Sequence, residues 1–383
     1  MKSFKFYCIS LKRNILPIIF ILFLFCLIVF SASNLSATKS GLSLWANSVV
    51  PSLFPFLVAT ELLSYTNVVN FVSSKLDKFM RPIFNMPGCS AYPLILGMLS
   101  GYPVGAKTVC QIYKEGLCTK REAELILAYT NNSGPLFIIG TVGISMFGST
   151  TIGLILLSTH MLASLSVGII FGKKIGSKYK SINKSYVKSS RQSVSFSNLG
   201  EVLSNSIISS IKTIMMIGGF VVIFSVIISI LKNSGLLNMI AKFLSPLFGN
   251  SSFISGILSG IIELTNGLNA ISSIHVKAIS TNILLCSFLL GFGGFSVMLQ
   301  ILSVVSKEKL SIKPYIIGKI LQAILATAYT FVILQIPMFN FNLWLKILNI
   351  YSWERIYIWI YLFINLYNLL SLFLSFHKEY LFF

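Results

Sequence analysis

Apolar stretches near the ~20 residues a helix needs to cross the hydrocarbon of a bilayer recur along this chain. They lie at 15–33, 44–65, 125–147, 150–172, 213–231, 280–305, 315–336 and 356–376. A water-soluble domain does not stay dispersed with so many such runs, and the composition agrees: 55% of the 383 residues are apolar and only 10% are charged. The pattern predicts an all-α polytopic membrane protein with about eight transmembrane helices.

Two more apolar segments, 90–106 and 252–270, are short and rich in Gly, Pro, Ser and Asn. Broken backbone survives at membrane depth only where it is buried in protein or faces a water-filled cavity, so these two segments are predicted to be re-entrant hairpins. At the N-terminus, Lys2, Lys5, Lys12 and Arg13 precede the apolar run Ile15 to Phe30. The run is long for a signal peptide and Ser31-Ala32-Ser33-Asn34 is a weak cleavage site, so an uncleaved first span is expected.

Charge sets the orientation. The formal net charge is +20, but the basic residues sit between apolar spans rather than on one face among aromatic readers, which excludes nucleic acid as the expected partner. Lys173, Lys174, Lys178, Lys180, Lys184, Lys188 and Arg191 share one short loop, which should face the cytoplasm. With both short segments re-entrant, Lys75, Lys78, Arg81, Lys114, Lys120, Arg121, Lys307, Lys309 and Lys313 also fall inside. Lys39, Lys232, Lys242, Lys277, Lys346 and Arg355 fall outside.

The chain carries an internal echo. Lys78-Phe79-Met80-Arg81-Pro82-Ile83-Phe84 matches Lys242-Phe243-Leu244-Ser245-Pro246-Leu247-Phe248, and each is followed by GxLSG, at Gly97–Gly101 and Gly256–Gly260. A glycine-containing break comes next in both, Asn132-Ser133-Gly134-Pro135 and Gly293-Gly294-Phe295-Ser296. In the topology above the two copies run in opposite directions. An inverted repeat with a broken helix in each copy points to a transporter whose site lies near the midplane.

Several residues are candidates for that site. Thr119-Lys120-Arg121-Glu122 has the capping-box pattern, so a helix should start there, run through Ala123 to Thr130 and break at Asn131-Asn132-Ser133-Gly134-Pro135, where Gly134 and Pro135 disfavour a continuing helix. Asn131, Asn132 and Ser133 would then offer donors and acceptors to a solute, or else glue a kink to neighbouring helices. Lys107, at the foot of the Gly101–Lys107 turn, either supplies the counter-charge for an anion or snorkels to the interface. Glu263, followed by Thr265 and Asn266, is a carboxylate in an apolar setting; it either binds a cation or proton or pairs with Lys107. Ser296 belongs to the second break. Glu61 reads as interfacial and His160 as a structural histidine or a proton relay.

Six scattered cysteines form no CxxC or metal-ligand pattern, and no GxSxG, Walker or HExxH motif occurs. Neither a cofactor, a metal nor catalysis is expected.

Trp45 to Val58, Gly101 to Lys107 (GYPVGAK), Asn131 to Gly143 (NNSGPLFIIGTVG) and Glu263 to Leu268 (ELTNGL) resemble the YlbJ family of sporulation integral membrane proteins, also known as stage V sporulation protein V, of the nucleoside-transporter gate superfamily. The resemblance runs from about Trp45 to about Lys313. It implies the movement of dipicolinic acid, a small planar dianion, across the outer forespore membrane of an endospore-forming bacterium. Taken with the hydropathy, charge and repeat patterns, the expected domain layout is an N-terminal span at 1–40, a first gate-like repeat at 41–172, a basic cytoplasmic loop at 173–205, a second, inverted gate-like repeat at 206–336 and a C-terminal span at 337–383. The expected partners are an anionic small molecule and the lipid bilayer, with a homo-oligomer left open. Two rival readings are a nucleoside or organic-anion permease of growing cells and a non-transporting scaffold for other sporulation proteins.

Overall fold

The computed structural model describes residues 2–66, 68–173, 197–248, 250–274 and 279–335. The predicted span at 356–376, the whole 337–383 segment and most of the basic loop lie outside them. Contacts divide the chain into a unit Met1–Phe331 and a unit Val332–Phe383, and the first is described below.

All secondary structure among the described residues is helical. Five helical stretches are long and apolar enough to cross a membrane: Ser31–Ser64, Thr150–Lys173, Leu199–Asn233, Ile279–Glu308 and Lys313–Gln335. Ile15–Val29 is apolar and shorter, within α1 (Lys2–Val29).

The region between the first two predicted spans differs from expectation. The stretch 34–43 lies between the predicted spans 15–33 and 44–65, but α2 (Ser31–Leu44) continues through a wide π-type turn at Trp45–Val49 into α3 (Val50–Ser64), one helical stretch of 34 residues. The polar side chains there turn back onto helix carbonyls: Thr38 Oγ1 donates to Asn34 O over 2.8 Å and Asn34 Nδ2 to Cys26 O over 3.1 Å. With these donors occupied, α2 packs along α9 (Leu199–Asn233). Trp45 pins the contact, its Nε1 donating to Ile214 O over 3.0 Å. The widened turn precedes Pro51, which has no N–H to give and would clash with the carbonyl one turn back. Helix α9 is also longer than the predicted 213–231 span and reaches back into the region assigned to the basic loop.

The middle of each half is built from short pieces. In the first, α4 (Val68–Phe79) leads to α5 (Ala91–Ser100), which turns at 101–103 into α6 (Val104–Lys114). Then come α7 (Lys120–Thr130), a non-helical stretch, a π-type helix Phe137–Met146 and α8 (Thr150–Lys173). In the second, α10 (Leu236–Phe248) leads to α11 (Ser251–Ile262), which breaks at Glu263 into α12 (Leu264–Ser272). There follow α13 (Ile279–Phe292), α14 (Gly294–Val305) and α15 (Lys313–Gln335). Two predicted punctuation marks are where the sequence puts them. Thr119 and Glu122 form a reciprocal capping box at the start of α7, and α7 stops before Asn131.

The arms α5 and α6 pack side by side, as do α11 and α12. Arms of 9 to 12 residues reach only ~14–18 Å at 1.5 Å per residue, about half of a ~30 Å hydrocarbon core.

Candidate functional site

Each hairpin turn meets the break in the helix that follows it. In the first half, the Tyr102 N–H donates to Asn132 O over 2.9 Å. Gly97 and Gly105, one on each arm, press against the free end of α7: a Cβ built on them would lie 1.7 Å and 2.2 Å from the Thr130 carbonyl oxygen. In the second half, Gly293 and Gly294 both hold φ near +80°, at 84° and 80°, a region L side chains rarely adopt. A Cβ on Gly294 would sit 3.0 Å from Gly260 O and 3.2 Å from Leu264 N, so the break between α13 and α14 closes on the turn of the second hairpin. The halves also interlock: α6 packs on α14, and α12 packs on the Phe137–Met146 helix.

Several buried polar groups lie at these crossings. Asn132 is fully buried; its Nδ2 donates to Tyr129 O (3.0 Å) and Ser164 Oγ (2.9 Å), and its Oδ1 accepts from Gln322 Nε2 (2.9 Å). Asn131 Nδ2 donates to Leu127 O over 3.3 Å, and its Oδ1 has no hydrogen-bond partner. The Ser133 N–H donates to His160 Nε2 over 3.2 Å, so a neutral His160 ring carries its proton on Nδ1.

At the second crossing, Glu263 is the N-cap of α12. Its Oε2 accepts from the Asn266 N–H (2.7 Å) and Asn266 Nδ2 (2.9 Å), and its Oε1 accepts from Thr265 Oγ1 (3.2 Å). A carboxylate at a helix N-terminus is favoured by the helix dipole and by the free N–H groups there. Asn266 Nδ2 also reaches Ser225 Oγ on α9 (2.8 Å). A void of about 10 Å³ beside it is lined by Tyr102, Glu263, Thr265 and Gln300, close to the least space that holds one water. Ser296 is buried on α14, and its Oγ has no hydrogen-bond partner.

Lys107 is elsewhere. It lies one turn inside α6 and donates to Thr213 Oγ1 on α9, where it lines a cleft of about 640 Å³ shared with Thr60, Glu61, Ser210, Lys307 and Glu308. Lys107 is seven residues closer to the hairpin turn than Lys114, ~10 Å along the helix, so it sits deeper than the Lys114–Glu308 ion pair (2.8 Å) near the mouth. The anticipated pairing of Glu263 with Lys107 is corrected: the Glu263 carboxylate is held by Thr265 and Asn266 of its own helix start.

Sequence reasoning passed over Lys319 on α15. It is 2% exposed, donates to Gln322 Oε1 over 2.8 Å and lies 5.9 Å from the Tyr315 ring centroid. Among the described residues no carboxylate pairs with it. Gln322 thus bridges a buried ammonium to Asn132. The only signal was a single lysine inside an apolar span. His160, read from sequence as structural or a relay, joins this cluster through Ser133 and lies 3.4 Å from Gln322 Nε2.

Comparison with known proteins fits this architecture. The profile of the gate family, described as nucleoside recognition, matches residues 46–178 and 214–313, more than half of the chain. The sporulation integral membrane protein YlbJ of Bacillus subtilis (strain 168) is 34% identical over 313 residues, covering 78% of this chain and 76% of the relative. An uncharacterized protein of Alkalihalophilus pseudofirmus is 32% identical over 118 residues, 31% of this chain and 25% of its own. No solved structure matches the chain at a significant level. With apolar helices of spanning length, two hairpins seated on two helix breaks and these matches, the chain is an integral membrane protein that belongs to the gate family and, with YlbJ, to its sporulation membrane proteins.

Proposed function

We propose that this protein is a non-enzymatic transporter of a small organic anion, with dipicolinate as the solute, acting in the outer forespore membrane during sporulation. The observation that carries the reading is the reciprocal interlock: each hairpin sits on its own helix break while its second arm packs on the helix after the other half's break. Such an arrangement puts helix ends and unwound backbone at the centre of a bundle, where a solute meets dipoles rather than lipid. In this reading the arms, too short to cross, are re-entrant, the halves are inverted, and the full chain has about eight spans.

Lys107, deep in the cytoplasmic cleft, is the first cation an entering anion meets beyond the mouth. Asn131, Asn132, Ser133, Glu263, Thr265, Asn266 and Ser296 line the path beyond it, which is closed in the conformation described, since only a water-sized void borders Glu263. The layout in two gate-like repeats follows the two matched stretches. The relative's printed name supports sporulation, and the solute class rests on Lys107 and the chemistry of helix ends.

A nucleoside is the second reading, favoured by the description of the family profile. The test is uptake of labelled dipicolinate and of a labelled nucleoside by proteoliposomes holding the purified protein, with Lys107→Gln and Glu263→Ala alongside. Saturable dipicolinate flux lost in both variants is expected. Nucleoside flux alone would transfer the assignment to the second reading, and no flux of either solute would remove transport as the function.

A further inference from the structure

A second cleft, of about 350 Å³, lies between the end of α9, α10 and the second hairpin. Lys232, Asn238 and Lys242 line one side, and Ser252, Ser255 and Ser259 of α11 line the other. Along α9, Lys232 is 19 residues beyond Thr213, which lines the first cleft. At 1.5 Å per residue that is ~28 Å, nearly the thickness of the hydrocarbon core, so the two clefts open toward opposite faces of the membrane. In the charge-derived orientation this one is on the non-cytoplasmic side.

The lining is unlike that of the cytoplasmic cleft. There Glu61, Glu115 and Glu308 accompany Lys107, Lys114 and Lys307, whereas here both charged residues are lysines and no acid lines the wall. Neither lysine has a carboxylate partner among the described residues. Ser259 is 1% exposed, lines the cleft, and its Oγ has no hydrogen-bond partner; a buried hydroxyl left unsatisfied costs about 1–3 kcal/mol. The cleft also borders the first turn of α11, where the helix dipole favours negative charge, although Asn250 Oδ1 already accepts from the Ser252 N–H over 2.8 Å.

We propose that this cleft is a second anion subsite, which takes an anionic oxygen group, carboxylate or phosphate, of a small solute at the non-cytoplasmic mouth of the protein. Lys232 and Lys242 supply the charge, and Ser259 donates its otherwise unmade hydrogen bond to the anion. Only the choice of dipicolinate as probe rests on the transport reading.

The experiment is labelling of Ser255→Cys by a membrane-impermeant maleimide in vesicles of zwitterionic lipid, against the parent protein as background. Dipicolinate at ~10 times its Kd should slow labelling about tenfold, and the protection should disappear in Lys232→Gln/Lys242→Gln and weaken in Ser259→Ala. Ser252→Cys gives the same readout should Ser255→Cys fail to fold. Neither dipicolinate nor inorganic phosphate protecting the cysteine would overturn the proposal. So would slow labelling that appears only when anionic lipid is added and that neither solute changes, because the occupant would then be a lipid headgroup. Protection without flux would leave the subsite standing and remove the transport reading, while flux without protection would do the reverse.

Discussion

The backbone N–H of Tyr102 donates to the carbonyl of Asn132 over 2.9 Å, tying the turn of the first hairpin to the break after α7. The bond satisfies a carbonyl that the broken helix cannot pair within itself, in a setting where an unsatisfied group costs several kcal/mol. It also means that the hairpin cannot lift from the break without exposing both groups.

Seating the hairpin demands bare backbone on both arms. Gly97→Ala and Gly105→Ala should each destabilise the protein by more than ~2 kcal/mol and abolish uptake, because the new Cβ meets backbone rather than a movable side chain. Gly219→Ala, with nothing within 4 Å of its built Cβ, should be neutral or slightly stabilising. Thermal unfolding in detergent separates the three.

Glu263 has two separable roles. Glu263→Ala removes a helix cap and should cost ~1–2 kcal/mol. Glu263→Gln keeps an oxygen for the Asn266 N–H and should fold nearly as well as the parent, yet lose flux if the carboxylate's charge is what the path uses. Uptake in Glu263→Gln equal to the parent's would reduce Glu263 to a cap.

Lys319 is buried with an amide and a ring, not a carboxylate, at a cost of at least ~3 kcal/mol for an ammonium at membrane depth. Lys319→Met should therefore unfold at a higher temperature than the parent while losing uptake. A variant no more stable than the parent would argue against an uncompensated charge there. Gln322→Leu should be destabilised by ~2–3 kcal/mol, since it strands both the ammonium and Asn132 Oδ1.

The Lys114–Glu308 bridge should contribute little. The Lys114 side chain is 63% exposed, and exposed pairs stabilise by less than ~1 kcal/mol. The hydrogen bond and charge of Glu308 raise the Lys114 pKa. Whatever stability this gives is fully present below the ordinary lysine pKa of about 10.4 and is lost only as pH climbs through the raised value. Glu308→Gln should thus shift the unfolding temperature by no more than a degree or two at neutral pH, as calorimetry would show.

Residues acting over one helical turn were legible in the chain itself. The capping box at Thr119 and Glu122, the stop before Asn131 and the double-glycine turn at Gly293 are each specified by neighbours within four positions. The gap at 34–43 between the first two predicted spans is helical because Thr38 bonds back to its own helix, Asn34 bonds the end of α1 and the segment packs on α9. Lys107 lies close to the turn in sequence, but the helix phase from Val104 aims it at Thr213 on α9.

What the sequence determined alone was therefore the helical, lipid-solvated class, the positions of the breaks and the resemblance between halves, because hydropathy, glycine, proline and capping act locally. Only the tertiary structure decided which polar groups meet. Asn132 bonds Gln322 across 190 positions, Lys107 bonds Thr213 across 106, and Glu263 takes its partners from its own helix start. Such pairings are set by how helices pack on one another at membrane depth, where leaving a buried polar group unpaired is costly, and no spacing along the chain encodes which partner it will meet.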